Sequence, residues 1–230
     1  MTLRRNIYTS ISRLAISLLL LTAVSVPAQA QKLFKLEKDT IPIMRGFQVS
    51  FDLLGAAMLK LGDYGQLEGA LRLNLHDQWF PIVEIGYGKA ERIDDEVTEL
   101  TYKTQAPYFR VGVDFNLLKK KHQANRLFAG FRYAYTSYKV DLWRKDFVDP
   151  VWKWPTSFSA IGEQCSQHWA EAVLGIDAQV FGPLHLGWSV RYKRRLFHKD
   201  GNIGKTWYVP GFGLWDDTRL DGTFNVIIDI

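Results

Sequence analysis

The chain has 230 residues, of which 47% are hydrophobic, too apolar a composition for a disordered chain. Its formal charge is +5, but residues 1–30 hold three arginines and no acid, so the rest carries 26 basic against 24 acidic side chains, a net of +2. That balance excludes the basic footprint of a nucleic-acid binder, and the single cysteine, Cys165, excludes an intramolecular disulfide.

Residues 1–30 are predicted to be a signal peptide. Arg4, Arg5 and Arg13 give a positive start, an apolar run covers 14–26, and Ala28-Gln29-Ala30 has the small-x-small form of a cleavage site. The run is shorter than the roughly 20 residues a membrane helix needs. Residues 31–45 read as a periplasmic N-terminal tail, and 46–230 as one outer-membrane barrel domain. Within that domain the longest apolar run, 53–59, is also too short to span lipid as a helix.

From residue 46 onward the hydrophobicity alternates with period two, the signature of strands with one greasy and one polar face. The first predicted strand covers 46–57, with Phe47, Val49, Phe51 and Leu53 on one face. The second covers 64–75, the third 79–88, and the fourth 109–117, where Phe109, Val111, Val113 and Phe115 alternate with Arg110, Gly112, Asp114 and Asn116. The fifth covers 126–143, the sixth 168–181, the seventh 184–197 and the eighth 218–230. In the seventh, Leu184, Leu186, Trp188, Val190 and Tyr192 alternate with His185, Gly187, Ser189 and Arg191.

The connections alternate in length. Those at 76–78, 119–125 and 182–183 are short, whereas 89–107, 144–167 and 198–217 are long; the short link after the first strand is the exception. Outer-membrane barrels have short periplasmic turns and long outer loops. The predicted class is therefore all-β: an antiparallel up-and-down transmembrane β-barrel of about eight strands. In such a barrel the apolar face meets lipid and the charged face looks inward. Eight strands enclose a space that side chains nearly fill, so a plugged lumen is expected and a large pore is not.

Asp52, Glu68, Arg72, Glu84, Arg110, Asp114, Arg132, Glu171, Asp177, Arg191 and Lys193 are predicted to line that lumen. Buried charges need partners, and depth along neighbouring strands suggests Arg72 with Glu84, Asp114 with Arg132, and Glu171 with Lys193. No catalytic, cofactor-binding or metal-binding residue is assigned. The five histidines, at 76, 122, 168, 185 and 198, form no metal motif. Cys165 with His168 imitates a thiol–imidazole pair, and Ser166, His168 and Glu171 imitate a lipid hydrolase, but Glu171 falls on the inward face. The run Lys119-Lys120-Lys121-His122 reads as a solvated turn. At the outer end of the seventh strand Arg194 faces lipid, where a guanidinium suits a lipid phosphate.

The segments APYFRVGVDFNLLKKKH (106–122), GPLHLGWSVRYKRRLFH (182–198), TWYVPGFG (206–213) and GTFNVIIDI (222–230) resemble an uncharacterised, domain-of-unknown-function family of outer-membrane β-barrels from two-membraned bacteria. More loosely, the plan is similar to OmpA-like and OmpX-like barrels. The resemblance implies fold and location, with no functional residue to carry over. The expected partners are outer-membrane lipids with lipopolysaccharide, and the barrel-assembly machinery during insertion; no cofactor is expected. The expected role is non-enzymatic, structural or surface-interacting. Two alternatives stay open at this point: a lipid-modifying enzyme of the lipid A acylase or deacylase type, and a soluble exported lipid-binding β-barrel.

Overall fold

The computed structural model describes residues 42–96, 98–148, 151 and 153–230. The expected signal peptide and the tail up to residue 41 lie outside the described residues. Seven long strands come first: β1 (Met44–Asp52), β2 (Tyr64–Leu75), β3 (Trp79–Arg92), β4 (Leu100–Asn116), β5 (Arg126–Val148), β6 (Pro155–Phe181) and β7 (Leu184–Lys199). Two short pieces, β8 (Tyr208–Val209) and β9 (Gly213–Leu214), form a two-stranded ribbon, and an eighth long strand, β10 (Thr218–Asp229), follows them. The eight long strands close into a barrel in the order β1-β10-β7-β6-β5-β4-β3-β2, every neighbouring pair antiparallel.

Closure gives every long strand two neighbours over most of its length, and a paired backbone is satisfied in hydrocarbon. The side chains complete the argument. Trp188 is 65% exposed and Ile228 47%, and with Val83, Ile85, Phe109 and Val111 they stand on the outer wall. Arg110, Asp114, Arg132 and Glu171 are fully buried inside it. A soluble barrel or sandwich would carry the reverse pattern. The protein is a transmembrane barrel, and the soluble lipid-binding alternative is set aside because its interior would have to be apolar. Among the described residues no helix is long and apolar enough to cross a membrane.

Two expectations need correction. The first strand stops at Asp52, not at residue 57, and Leu53–Leu61 form a helix, α1. The local chemistry explains it. The Asp52 carboxylate caps the helix by accepting from the Leu54 and Gly55 amides, each at 3.1 Å. Leu, Ala, Met and Lys are strong helix formers, and Gly62 follows the last turn. The link from β1 to β2 therefore spans 53–63 and is not the short exception expected. It lies at the same mouth of the barrel as the links after β3, β5 and β7.

The second correction concerns those links. The segments 89–107 and 144–167 are mostly strand: β3 runs to Arg92, β4 starts at Leu100, β5 runs to Val148 and β6 starts at Pro155. A membrane strand needs only about 9–11 residues, whereas β5 has 23 and β6 has 27. Past Tyr135 the outward positions of β5 are Ser137, Lys139 and Asp141. Tyr138 and Val140 keep the inner face of β5 apolar, but Glu163, Gln164, Ser166 and Gln167 make both faces of β6 polar before His168 and hide its start, although the ladder pairs Lys139 with Gln164 and Val140 with Glu163. The seventh strand ends at Lys199, close to its expected limit. The tight turns at 76–78 and 182–183 fall where expected.

Candidate functional site: the charged lumen

Alternation puts one inward residue in every two from each strand, and around the middle of the barrel these are charged. Glu84 on β3 accepts from three guanidinium groups: Arg132 Nε at 3.0 Å, Arg191 Nη1 at 2.9 Å and Arg110 Nη1 at 3.1 Å. Glu68 on β2 pairs with Arg110, with Arg191 at 3.0 Å, and accepts from the Tyr108 hydroxyl at 2.6 Å. Glu171 on β6 pairs with Arg110 at 2.9 Å and accepts from the Trp169 indole at 2.6 Å. Three arginines and three glutamates thus neutralise one another in a layer across the lumen. The charge-assisted bonds offset the desolvation of all six groups. The free space beside this layer is about 10 Å³, no more than one water requires.

Toward the mouth that holds the tight turns, Arg72 bridges Asp177 at 2.7 Å and Asp114 at 3.1 Å. Arg132 joins the two layers through Asp114, at 2.6 and 2.9 Å. Below them Arg126 and His185 each lie 3.3 Å from Asp229. The turn itself is held by Asp77, which pairs with Arg45, meets His122 Nδ1 at 2.7 Å and accepts from Asn74 at 2.7 Å. His76 and Asp77 both have left-handed backbones, which a tight hairpin needs and which these contacts secure.

Burial alone would raise the Asp77 carboxyl, but hydrogen bonds from Asn74 and His122 and the Arg45 charge outweigh it and hold the group below its ordinary value of 3.8. A depressed carboxylate stabilises the fold above its unfolded value and loses that contribution as pH falls through the folded one. The stability difference between the wild type and Asp77→Asn is therefore expected to be full at neutral pH and to shrink below about pH 4. Unfolding midpoints in urea at pH 7 and pH 3 measure it.

At the opposite mouth the segment 200–217 folds into the barrel. Arg110 Nη2 and Lys193 Nζ both donate to the Gly211 carbonyl at 2.8 Å, and Lys193 also pairs with Asp221 at 2.7 Å. Tyr208, Val209 and Phe212 pack on Tyr102, Tyr108, Tyr138 and Trp169 to form the one apolar cluster inside the wall among the described residues. Phe212 meets the Trp169 ring edge-on at 5.8 Å. Gly211 has φ +80°, and a Cβ there would fall 2.5 Å from the Tyr108 ring, so only glycine lets the segment descend onto the arginine layer.

All eleven residues expected to line the lumen are buried inside the barrel. The expected pairings fare less evenly. Asp114 joins Arg132 as expected, but Arg72 bridges Asp114 and Asp177 instead of Glu84, and Glu171 takes Arg110 while Lys193 takes Asp221. Long guanidinium side chains reach diagonally across the lumen, which nearest-strand counting does not anticipate. Asp52 has no cation within ion-pairing distance among the described contacts; it serves backbone amides, Phe224 N at 3.2 Å among them. Missing from the sequence reading were the aromatic cluster, Asp221 and Asp77. Their signal was present: Tyr102, Tyr108 and Tyr138 occupy inward positions of β4 and β5, against the polar rule for that face.

Ser166 and His168 share the outer face of β6, where His168 Nδ1 lies 2.8 Å from the Tyr133 hydroxyl. Cys165 and Glu171 point the other way, into the lumen. The barrel wall thus separates the members of both imitated catalytic sets. Arg194 is exposed on the outer wall, one outward position beyond Tyr192.

The geometry defines a class: a small transmembrane β-barrel whose interior is packed with ion pairs and entered by its own loop. The chain belongs to the family described as Domain of unknown function (DUF6048), which matches residues 11–229. No curated protein matches it. Among solved structures it is similar to neisserial surface protein A, at 12% identity over 81% of this chain and 99% of that one, TM-score 0.46. It is also similar to Ail, the attachment invasion locus protein of Yersinia pestis, at 10% identity over 81% of the first chain and 99% of the second when Ail is bound to the heparin analogue sucrose octasulfate, TM-score 0.41. A major outer membrane protein from Thermus thermophilus gives 15% identity over 80% and 98%, TM-score 0.42.

Proposed function

We propose that this protein is a non-enzymatic outer-membrane barrel, closed to solute flux, that acts through its outer wall and its loop-bearing mouth in an envelope-structural or surface-interaction role. The observation that carries the reading is the interior. A neutralised Arg–Glu layer leaves a cavity of about 10 Å³, and 200–217 occupies the space above it. In this reading residues 1–30 are a cleaved leader, the tight turns face the periplasm, and the barrel-assembly machinery inserts the chain. Arg194 meets a phosphate of outer-leaflet lipopolysaccharide. The non-enzymatic part is supported by the separation of Ser166 and His168 from Glu171 across the wall.

Cell fractionation with a planar-bilayer recording tests the proposal. The protein is expected in the outer-membrane fraction, with heat-modifiable gel mobility and no steady conductance. Recovery in the soluble fraction without detergent, or a stable open-channel current, overturns it. An altered lipid profile by mass spectrometry in a deletion strain overturns the non-enzymatic part.

A further inference from the structure

The wall of this barrel is not strand all the way round. β1 pairs with β2 only up to Phe51 and with β10 only up to Asp52. Beyond those points β2 (64–68) and β10 (218–224) have no β1 partner, although both continue to pair on their other sides. Yet these stretches lie within the apolar belt. Leu67 pairs with Tyr87, Leu220 with Tyr192 and Phe224 with Trp188, and outward-facing side chains surround the opening.

Helix α1 fills the opening, packed against both β2 and β10. Its backbone comes so close to β2 that a Cβ on Gly65 would fall 2.1 Å from the Leu59 nitrogen. Leu53, Leu54 and Leu61 point away from the barrel, Leu61 with 85% of its surface uncovered. Lys60 is the helix's only charge. Behind it lies a polar cavity of about 40 Å³, lined by Asp52, Tyr64, Gln66, Arg219 and Asp221 among others. An exposed apolar face of this kind is not left in water. Its flanks are already lipid-facing, and a helix satisfies its own backbone in hydrocarbon.

We infer that α1 is a wall segment embedded in the leaflet at the loop mouth, and that its exposed face binds the acyl chains of that leaflet. It completes the barrel where β1 ends and separates the lipid from the polar cavity behind. The occupant is lipid and not a second copy of the chain, because the face continues the acyl-chain surface of β2 and β10 without a polar rim between them. The inference rests on the membrane-barrel reading, and its test separates the two.

The experiment uses nitroxide labels on single cysteines in the full-length, Cys165→Ser protein, reconstituted in phosphatidylethanolamine–phosphatidylglycerol vesicles. Ala57→Cys reports on α1, Val190→Cys on the strand belt, and Ser137→Cys on solvent. Collision with oxygen and with a water-soluble nickel chelate is read at each. The oxygen-to-nickel ratio at Ala57 is expected to match that at Val190 and to exceed that at Ser137. A ratio at Ala57 equal to that at Ser137, with Val190 still lipid-like, overturns the inference alone. Spin–spin broadening at Ala57 that vanishes on dilution with unlabelled protein assigns the face to a second copy and overturns it too. A water-like ratio at Val190 overturns the barrel reading itself. Folding of each variant is checked by heat-modifiable mobility, and Leu54→Cys, on the same exposed face, replaces Ala57→Cys should that variant not fold.

Discussion

Replacing Glu84 by alanine is expected to destabilise the barrel by about 3–5 kcal/mol, the usual consequence of removing one partner from a buried ionic cluster. Glu84 is the acceptor shared by Arg110, Arg132 and Arg191. Without it the layer would hold three arginines against two glutamates, Glu68 and Glu171, and one positive charge would be left uncompensated in a site that water barely enters. The matched control is Glu99→Ala, which removes an exposed pair with Arg144 and should shift stability by under about 1 kcal/mol. Urea unfolding of the two variants in lipid vesicles, followed by tryptophan fluorescence, makes the comparison. Equal midpoints would show that the layer is not an electrostatic keystone.

Phe212→Ala is expected to weaken the docking of 200–217 by about 3–5 kcal/mol, as for other large buried aromatics. Phe212 is fully buried and touches the Trp169 ring, while the segment's polar anchors, Arg110 and Lys193 on the Gly211 carbonyl, stay in place. The loss should therefore appear as local opening, with the strands intact. Faster trypsin cleavage at Lys205, with unchanged heat-modifiable mobility, is the expected result. No conductance should follow, because the Arg–Glu layer lies deeper than the segment. A current through Phe212→Ala would mean that the segment alone had been the seal.

These expectations draw on structure that was unevenly legible in the sequence. Strict alternation with charges on one face, as around Arg110 and Asp114, was enough to put the eleven named charged residues on the inner side, because period two has only two phases. The pairings were not recoverable to the same extent, because an arginine reaches across a narrow barrel to strands that are not its neighbours. The stretch 53–57 misled because Leu53 continued the phase of Phe51 while Asp52 had already begun a helix. A carboxylate capping position followed by Leu, Ala and Met was the available signal. The start of β6 was hidden where Glu163, Gln164, Ser166 and Gln167 make both faces polar, since alternation is visible only against an apolar phase.

The short partnership of β1 also bears on how the ring is assembled. The seam between β1 and β10 unites the two ends of the sheet, so it brings together the most distant parts of the chain, and the entropy of loop closure weighs heaviest there. That seam pairs only 47–52 with 225–230, while β10 and β7 pair along 218–228. The last zippering step thus needs few simultaneous hydrogen bonds, and it also completes the seat of α1, whose cap Asp52 accepts from Phe224 N across the seam.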